Sequence, residues 1–372
     1  MQRTRSPPLT DAPPTPPVIV PAVATDGYAL AMRVARKCRS VQETTRRRSR
    51  VQVFGMYEHN NTQVSIIWKV GTTLLKRLFL MMNQRNYRNV TNPYDIPYNR
   101  SYPTQHVISN HGSKFRMVYV RNPYHRLLSG FVDKVLAPNT VYWKRIGTRA
   151  IKLVRTNPST ASLECGHDLE FKEYVKYVIL TLGRHNISGA VPDGHFVEQT
   201  KLVKPCEVRY NFIGKLEKFR TDILELFYKI NISKATVDVF QRNGSRLAAD
   251  DAIIDTCVQP FVKAFQDDYL KCITIHEALQ RAWLKLQIRG IIGRQPMPVS
   301  EHDAYLVTSA EFVNFARQAR ATSTASERKS LQKEHFEKMF RTVPDEDVKQ
   351  LQQVFADDFN LFEYNLEPFN TL

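Results

Sequence analysis

The 372-residue chain carries 53 Lys and Arg against 36 Asp and Glu, a formal net charge of +17. Its 42% hydrophobic and 24% charged residues are those of a globular protein with a sizeable core, which excludes a wholly disordered chain. The charge points to a polyanionic partner (nucleic acid, a phosphorylated cofactor or an acidic polysaccharide) without choosing among them.

Residues 1–50 read as a disordered Pro-rich and basic segment. Seven of the twenty prolines precede Ala22, and Arg33–Arg50 holds eight basic residues against Glu43. No run of about 18 apolar residues is present, so neither a membrane span nor a signal peptide is visible.

The stretch Gln63–Asn83 reads as a buried strand, a tight turn and a helix. Val64, Ile66, Ile67 and Trp68 suit the strand. Lys69-Val70-Gly71-Thr72-Thr73 makes the turn, and Leu74 to Met82 gives the helix an apolar face. A helix that begins after such a turn aims free N–H groups and a positive dipole end at an anion, usually a phosphate. Lys69, Thr72, Thr73, Lys76 and Arg77 add donors. The plainer alternative is an ordinary strand–helix unit with a basic first turn. Asn86–Pro103 then reads as a surface loop.

Lys114–Val135 repeats the pattern. Phe115 to Val120 is the strand, Asn122-Pro123 the break, and Leu127, Leu128, Phe131, Val132 and Val135 the helix face. Arg121 stands at the carboxyl end of this strand, where ligands of open α/β sheets bind. One reading has Arg121 and Ser129 converge on a single phosphate; the plainer alternative is a solvated Arg at a strand end and a Ser on the helix surface.

Further on, Trp143–Arg155 reads as a basic helix, and Leu169–Leu182 as an amphipathic helix capped by Asp168. Gly189–Gln199 is a loop containing His195, Val208–Gly214 a strand, and Glu217–Ile230 a helix. Leu247–Leu286 is helical with a break at Pro260. Ser300–Ser326 reads as a linker and Pro344–Phe355 as a last helix. Alternating strands and helices argue an α/β fold.

The five cysteines, Cys38, Cys165, Cys206, Cys257 and Cys272, form no CxxC pair, and no metal site is expected. One or two disulfides fit a secretory chain. Six N-glycosylation sequons, at Asn60, Asn89, Asn99, Asn186, Asn231 and Asn243, point the same way.

The two strand–turn–helix units together resemble the cofactor loops of the sulfotransferase superfamily, and most of all the Golgi carbohydrate sulfotransferases of the chondroitin/dermatan 4-O and HNK-1 type. KVGTTLLKR at 69–77 is similar to their 5′-phosphosulfate loop, and VRNPYHRLLSGFVDK at 120–134 to their 3′-phosphate motif. The blocks at 142–155, 169–178, 195–217 and 356–364 extend the likeness. Thr72 stands where the family commonly has Cys or Ser, and Trp68 where it has Pro. Val203 replaces an expected Cys.

The resemblance implies a P-loop-like parallel sheet flanked by helices. It divides the chain into a sulfotransferase domain at 51–233 and 327–372 and a helical insertion with linker at 234–326. It also implies 3′-phosphoadenosine 5′-phosphosulfate (PAPS) as sulfuryl donor, no metal, an acidic or neutral glycan acceptor, no nucleic acid, a Golgi location and a membrane anchor that this sequence does not display. Residues 69–73, with Lys76 and Arg77, would hold the 5′-phosphosulfate. Lys69 would serve the leaving group, and Arg121, Arg126 and Ser129 the 3′-phosphate. His106, then His195, is the expected base. The rival readings are a P-loop kinase, disfavoured because the loop has one Gly and its Lys precedes it, a nucleic-acid-binding protein, and a glycan binder without turnover.

Overall fold

The computed structural model describes residues 26–39, 50–97, 106–109, 113–183 and 193–370. The first described element is a helix, Asp26–Lys37 (α1), inside the segment for which composition predicts disorder. Leu30, Ala31 and Val34 recur at helical spacing and are buried, so three side chains suffice to dock it. Asp26 in its first turn and Arg36 and Lys37 in its last complement the helix dipole. A disulfide from Cys38 to Cys206 then fastens it to the body of the protein. The remainder of 1–50, apart from Cys38, Arg39 and Arg50, lies outside the described residues.

Arg50–Val53 (β1) begins the sheet-forming part. Met56–His59 (β2) and Thr62–Ser65 (β3) form an antiparallel hairpin around Asn60, whose φ of 51° is one that Asn tolerates. Thr72–Asn83 (α2) follows. His106–Ser109 (β4) pairs with β1, placing His106 opposite Val53. Phe115–Val120 (β5) leads into Pro123–Phe131 (α3), and Phe212–Lys215 (β6) completes a sheet of order β2-β3-β5-β6. β3, β5 and β6 run parallel, and only the β2 edge is antiparallel. The fold is therefore mixed α/β, and the carboxyl ends of three parallel strands share one side of the sheet.

Several boundaries differ from expectation for identifiable reasons. β3 stops at Ser65, and the buried Ile66 and Ile67 run on beyond it, with Ile66 N donating to Gly55 O at 2.9 Å before the turn begins at Trp68. Phe171–Leu182 (α4) is capped by Glu170 in a capping box with Glu173. Asp168 is instead taken up by Arg155 and Ser162, at 2.6 and 2.7 Å. The expected linker at 300–326 contains the helix Ser309–Ala321, started by a Thr308–Glu311 capping box. Its Ala/Ser/Thr composition hid a buried stripe of Phe312, Val313, Ala316 and Ala319.

Three apolar cores result. The first lies around the sheet, α1 and α2, and the second around α3, α4 and the C-terminal helices. The third is built mainly from Lys234–Val258 (α5), Ile275–Ile288 (α6) and Ser309–Ala321 (α7). A second disulfide, Cys165–Cys272, binds this third core to the segment before α4, and Cys257 stays buried as a thiol. Among the described residues no helix is long and apolar enough to cross a membrane.

The Cys38–Cys206 bridge closes a separation of 168 residues, so it restrains the unfolded chain strongly. Replacing Cys206 by Ser is expected to lower the unfolding free energy by about 2–4 kcal/mol. Urea denaturation of the variant and of the dithiothreitol-reduced wild type checks this. An unchanged midpoint in both would remove the bridge from the fold's support.

Candidate active site

The loop after β3 is unusual in its backbone. Lys69 has φ 68° and Gly71 φ 66°, both left-handed. Gly accepts this freely, whereas Lys69 holds it at a cost of about 1–2 kcal/mol, so the surrounding bonds must enforce it. They do so through one carbonyl. Ile67 O accepts from Val70 N at 3.3 Å and from Thr72 Oγ1 at 2.9 Å. Gly71 is also the N-cap of α2 and offers no side-chain cap. No side chain caps the first turn, and the helix dipole stands behind its N–H groups, a geometry suited to an anion.

Not every predicted donor of this loop faces that opening. The Thr72 hydroxyl is spent on Ile67 O. Arg77 is 5% exposed, ion-paired with Asp251 of α5 at 2.8 Å and set over the Tyr94 ring. Its expected place in a cofactor site is therefore corrected: it joins α2 to the third core. Lys76 is 4% exposed, and burial pushes its ammonium down.

At the end of β5, Asn122 caps α3 by accepting from Tyr124 N and His125 N, with Pro123 in the first turn. This cap fixes Arg121. The Gln199 side chain accepts from Arg121 N at 2.9 Å and donates to Arg121 O at 2.8 Å. Arg121 Nη1 donates to Lys69 O at 3.1 Å, so the two predicted phosphate loops meet here. Burial pushes its guanidinium down to about 10, still charged at neutral pH. Ser129 lies on α3, half-buried.

Arg126 behaves differently. Its three nitrogens donate to Trp68 O at 3.0 Å, Val197 O at 2.7 Å and Gly194 O at 2.7 Å. With the side chain 2% exposed and each nitrogen already donating to a main-chain carbonyl, Arg126 is placed as a fastener between loops and not at the anion site, which departs from the sequence reading. It ties the loop carrying Lys69 to the loop carrying His195.

A charge cluster missed by sequence reasoning sits beside Lys69. Asp133 Oδ2 accepts from Lys69 Nζ at 2.8 Å and lies 3.2 Å from Lys134 Nζ, while Oδ1 accepts from Lys285 Nζ at 2.9 Å. Burial pushes the Asp133 carboxyl up, but Lys69, Lys285 and Lys134 outweigh it and hold it well below the usual range. Three ammoniums share one carboxylate, so positive charge is left over. Arg289, exposed at the end of α6, adds to the field felt by Lys69 and Arg121. Burial pushes Lys69 down to about 8, with Asp133 opposing the shift. Ala278, Ala282, Lys285 and Arg289 follow one another at helical spacing on α6, so two cations in line with an apolar stripe were the available signal.

His195 is 7% exposed and stacked on Trp68 with ring centres 4.6 Å apart. Gly194 lets the backbone press on that indole: a Cβ there would lie 2.0 Å from it. His195 Nδ1 is 2.5 Å from Asp193 Oδ1, and Arg145 is 3.3 Å from the other Asp193 oxygen. A neutral ring with its proton on Nδ1 satisfies that carboxylate and leaves Nε2 a lone pair. Burial pushes His195 down to about 4 despite Asp193, and the Lys134 and Lys69 ammoniums push the same way. His195 is thus close to the lysine cluster. His106 is placed by its backbone alone, at the head of β4. Among the described residues no group of three His, Cys, Asp or Glu side chains could hold a metal ion.

Known sequences align with this arrangement. A profile described as the Sulfotransferase family matches residues 56–256, more than half of the chain. The chain belongs to the sulfotransferase family. Carbohydrate sulfotransferase 11 of Rattus norvegicus is 29% identical over 166 residues, 41% of this chain and 46% of that protein. Carbohydrate sulfotransferase 9 of Homo sapiens is 29% identical over 165 residues, 41% and 35%. Carbohydrate sulfotransferase 8 of Homo sapiens is 35% identical over 107 residues, 29% and 24%. The chain thus matches less than half the length of each of these relatives. No solved structure matches significantly. These matches do not favour the kinase or nucleic-acid readings.

If Arg126 is a fastener and not a phosphate ligand, Arg126→Lys keeps the charge but loses the three-way fork. The expected cost is on the order of 3 kcal/mol in chemical denaturation. The folded variant should keep its affinity for adenosine 3′,5′-bisphosphate. Lost binding at unchanged stability would return Arg126 to the anion site.

Proposed function

We propose that this protein is a carbohydrate sulfotransferase that moves the sulfuryl group of PAPS to a hydroxyl of a glycan. The observation that carries the reading is the meeting of Lys69, the uncapped start of α2 and Arg121 within one surplus of positive charge. A ligand with anionic groups at both ends of a nucleoside suits such a site, because the charge left over by Asp133 needs a partner.

PAPS supplies the sulfuryl group and a bisphosphate leaving group. The N–H groups at 71–74, with Thr73, hold the 5′ anion, and Arg121 and Ser129 the 3′-phosphate. Lys69 donates to the oxygen on which negative charge grows as the sulfur–oxygen bond breaks. Its ammonium is a compact point charge aimed from an enforced backbone. We assign the base to His195 in preference to His106, because His195 stands beside the Lys69 loop with Asp193 fixing its tautomer. His195 Nε2 takes the acceptor hydroxyl proton as the new oxygen–sulfur bond forms, and Asp193 stabilises the resulting imidazolium.

The acceptor reads as an acidic glycan. Lys144, Arg145, Arg149 and Lys152 are exposed along the segment that reaches Asp193, and residues 140–155 contain no acid. A luminal, Golgi-type location agrees with the two disulfides and with exposure of the sequon residues Asn60, Asn89, Asn231 and Asn243. Asn99 and Asn186 lie outside the described residues.

The deciding experiment is incubation with radiolabelled PAPS and a panel of chondroitin, dermatan, heparan and neutral glycans. Label transfer is expected, and the absence of both transfer and bisphosphate binding would overturn the reading. Lys69→Ala should lower kcat by about 100-fold or more with the fold intact. His195→Ala should cost about 100- to 10,000-fold, whereas normal turnover in it would end the assignment of the base.

The pH profile carries a further expectation. Lys69 must be protonated to donate, and burial pushes it down to about 8. The kcat/KM of the wild type should therefore fall as pH rises through about 8. Lys69→Arg, slower throughout, should lose that alkaline limb because its guanidinium stays charged. An identical limb in both would assign it to another group.

A further inference from the structure

Lys285 lies outside the span that matches the sulfotransferase family, on a helix with no assigned part in the chemistry. It is 1% exposed, and its ammonium donates to Asp133 Oδ1. Its helix is otherwise directed into an apolar core through Ala278, Leu279, Ala282, Trp283 and Leu286. A buried ammonium is a costly choice at such a position, and an apolar side chain of similar length would pack there at least as well. Stability therefore does not account for it.

The division of the Asp133 oxygens does. Oδ1 is held by Lys285, and Oδ2 is presented to Lys69 and Lys134. A carboxylate held at both oxygens is pinned about its Cβ–Cγ bond, so with Oδ1 tied to a buried helix side chain Oδ2 becomes a fixed anchor. The backbone around it is fixed as well. Asp133 lies in a π-helical turn, Val132–Leu136, a form frequent at functional sites. Arg281 of the same helix as Lys285 donates to His167 O at 2.8 Å and reaches Leu136 O at 3.4 Å. The Cys165–Cys272 bridge closes just before the Thr274 cap of that helix.

We infer that Lys285 is a positioning residue for sulfuryl transfer: by holding Asp133 Oδ1 it makes Oδ2 a fixed anchor that sets where the Lys69 ammonium stands. The inference rests on the reading of Lys69 as the leaving-group donor. Without Lys285, Asp133 is held only at Oδ2, by the Lys69 and Lys134 ammoniums, and the carboxylate can swing together with Lys69. It also bears one cation fewer, and so grips Lys69 more tightly against release to the growing charge. A donor displaced by even about 1 Å costs on the order of 100-fold in rate.

The test compares wild type with Lys285→Met, Lys285→Arg, Asp133→Asn and the double variant Asp133→Asn/Lys285→Met. Each is assayed for kcat, KM, affinity for adenosine 3′,5′-bisphosphate, and melting temperature. Lys285→Met should lose about tenfold to 100-fold in kcat, while bisphosphate affinity changes only a few-fold. Lys285→Arg, which keeps a cation on Asp133, should recover part of the rate. Because Lys285 acts through Asp133, the double variant should be no slower than Asp133→Asn alone. The inference falls if Lys285→Met turns over normally, if only its KM rises, or if the two losses multiply in the double variant. Should Lys285→Met fail to fold, the double variant removes both buried charges together. Its rate against Asp133→Asn then decides, equality supporting the inference and a further loss ending it. A wild type that binds no bisphosphate and transfers nothing overturns the sulfotransferase reading, and this inference with it.

Discussion

Asp133 carries three ammonium groups on two oxygens, and the architecture of the site follows from that ratio. Lys69, Lys134 and Lys285 come from a turn after a strand, a π-helical turn and a helix of the third core. None of these could be gathered without a carboxylate between them, because unpaired ammoniums in a partly buried site repel one another and lose their water. One carboxylate does not neutralise three. The protein thus holds a concentrated positive charge at the carboxyl ends of its parallel strands, stable enough to persist and unsatisfied enough to attract an anion. The overall charge of +17 is a poor guide to this, since exposed charges scattered over a surface are screened within about 8–10 Å.

Arg126 gives that charge its geometry. One guanidinium takes the carbonyls of Trp68, Gly194 and Val197, making the Lys69 loop and the His195 loop a single rigid piece. The stacking of Trp68 on His195 then follows, as does the close approach of Gly194 to the indole. Arg121 uses one nitrogen to hold the Lys69 carbonyl, but its backbone is carried by Gln199, whose own N–H is held by the buried Asp358. The two arginines of one motif thus divide the labour. Arg126 spends its donors on backbone, and Arg121 is positioned by others.

Local features of this arrangement could be read from sequence. The Asn122-Pro123 cap, the strand Phe115–Val120, the Gly71 turn and the pairing of two phosphate-type loops depend on neighbours in the chain. The failures share a cause: the deciding partner is far away. Nothing near Arg126 says that its donors will meet carbonyls some seventy residues on. Nothing near Arg77 points to Asp251. The basic tail's helix exists because Leu30, Ala31 and Val34 find a core and Cys38 finds Cys206, 168 residues away. Asp133 stood inside a motif that could be recognised, yet its value comes from Lys285, 152 residues later.

The same reasoning bears on where the family likeness ends. The matched span stops at residue 256, within α5, yet the site does not stop there. The residues proposed to touch the transferred group lie inside the span, where chemistry constrains residue type directly. Those that hold them in place lie partly outside it, where many side chains could do the same mechanical work. Lys285 reaches Asp133 only because its helix is fastened by Arg281 to the backbone at 136 and 167, and by Cys272 to Cys165. A region without a recognisable counterpart can therefore be part of the machinery. Its task is to fix a carboxylate, and the packing of one helix against one turn is enough to perform it.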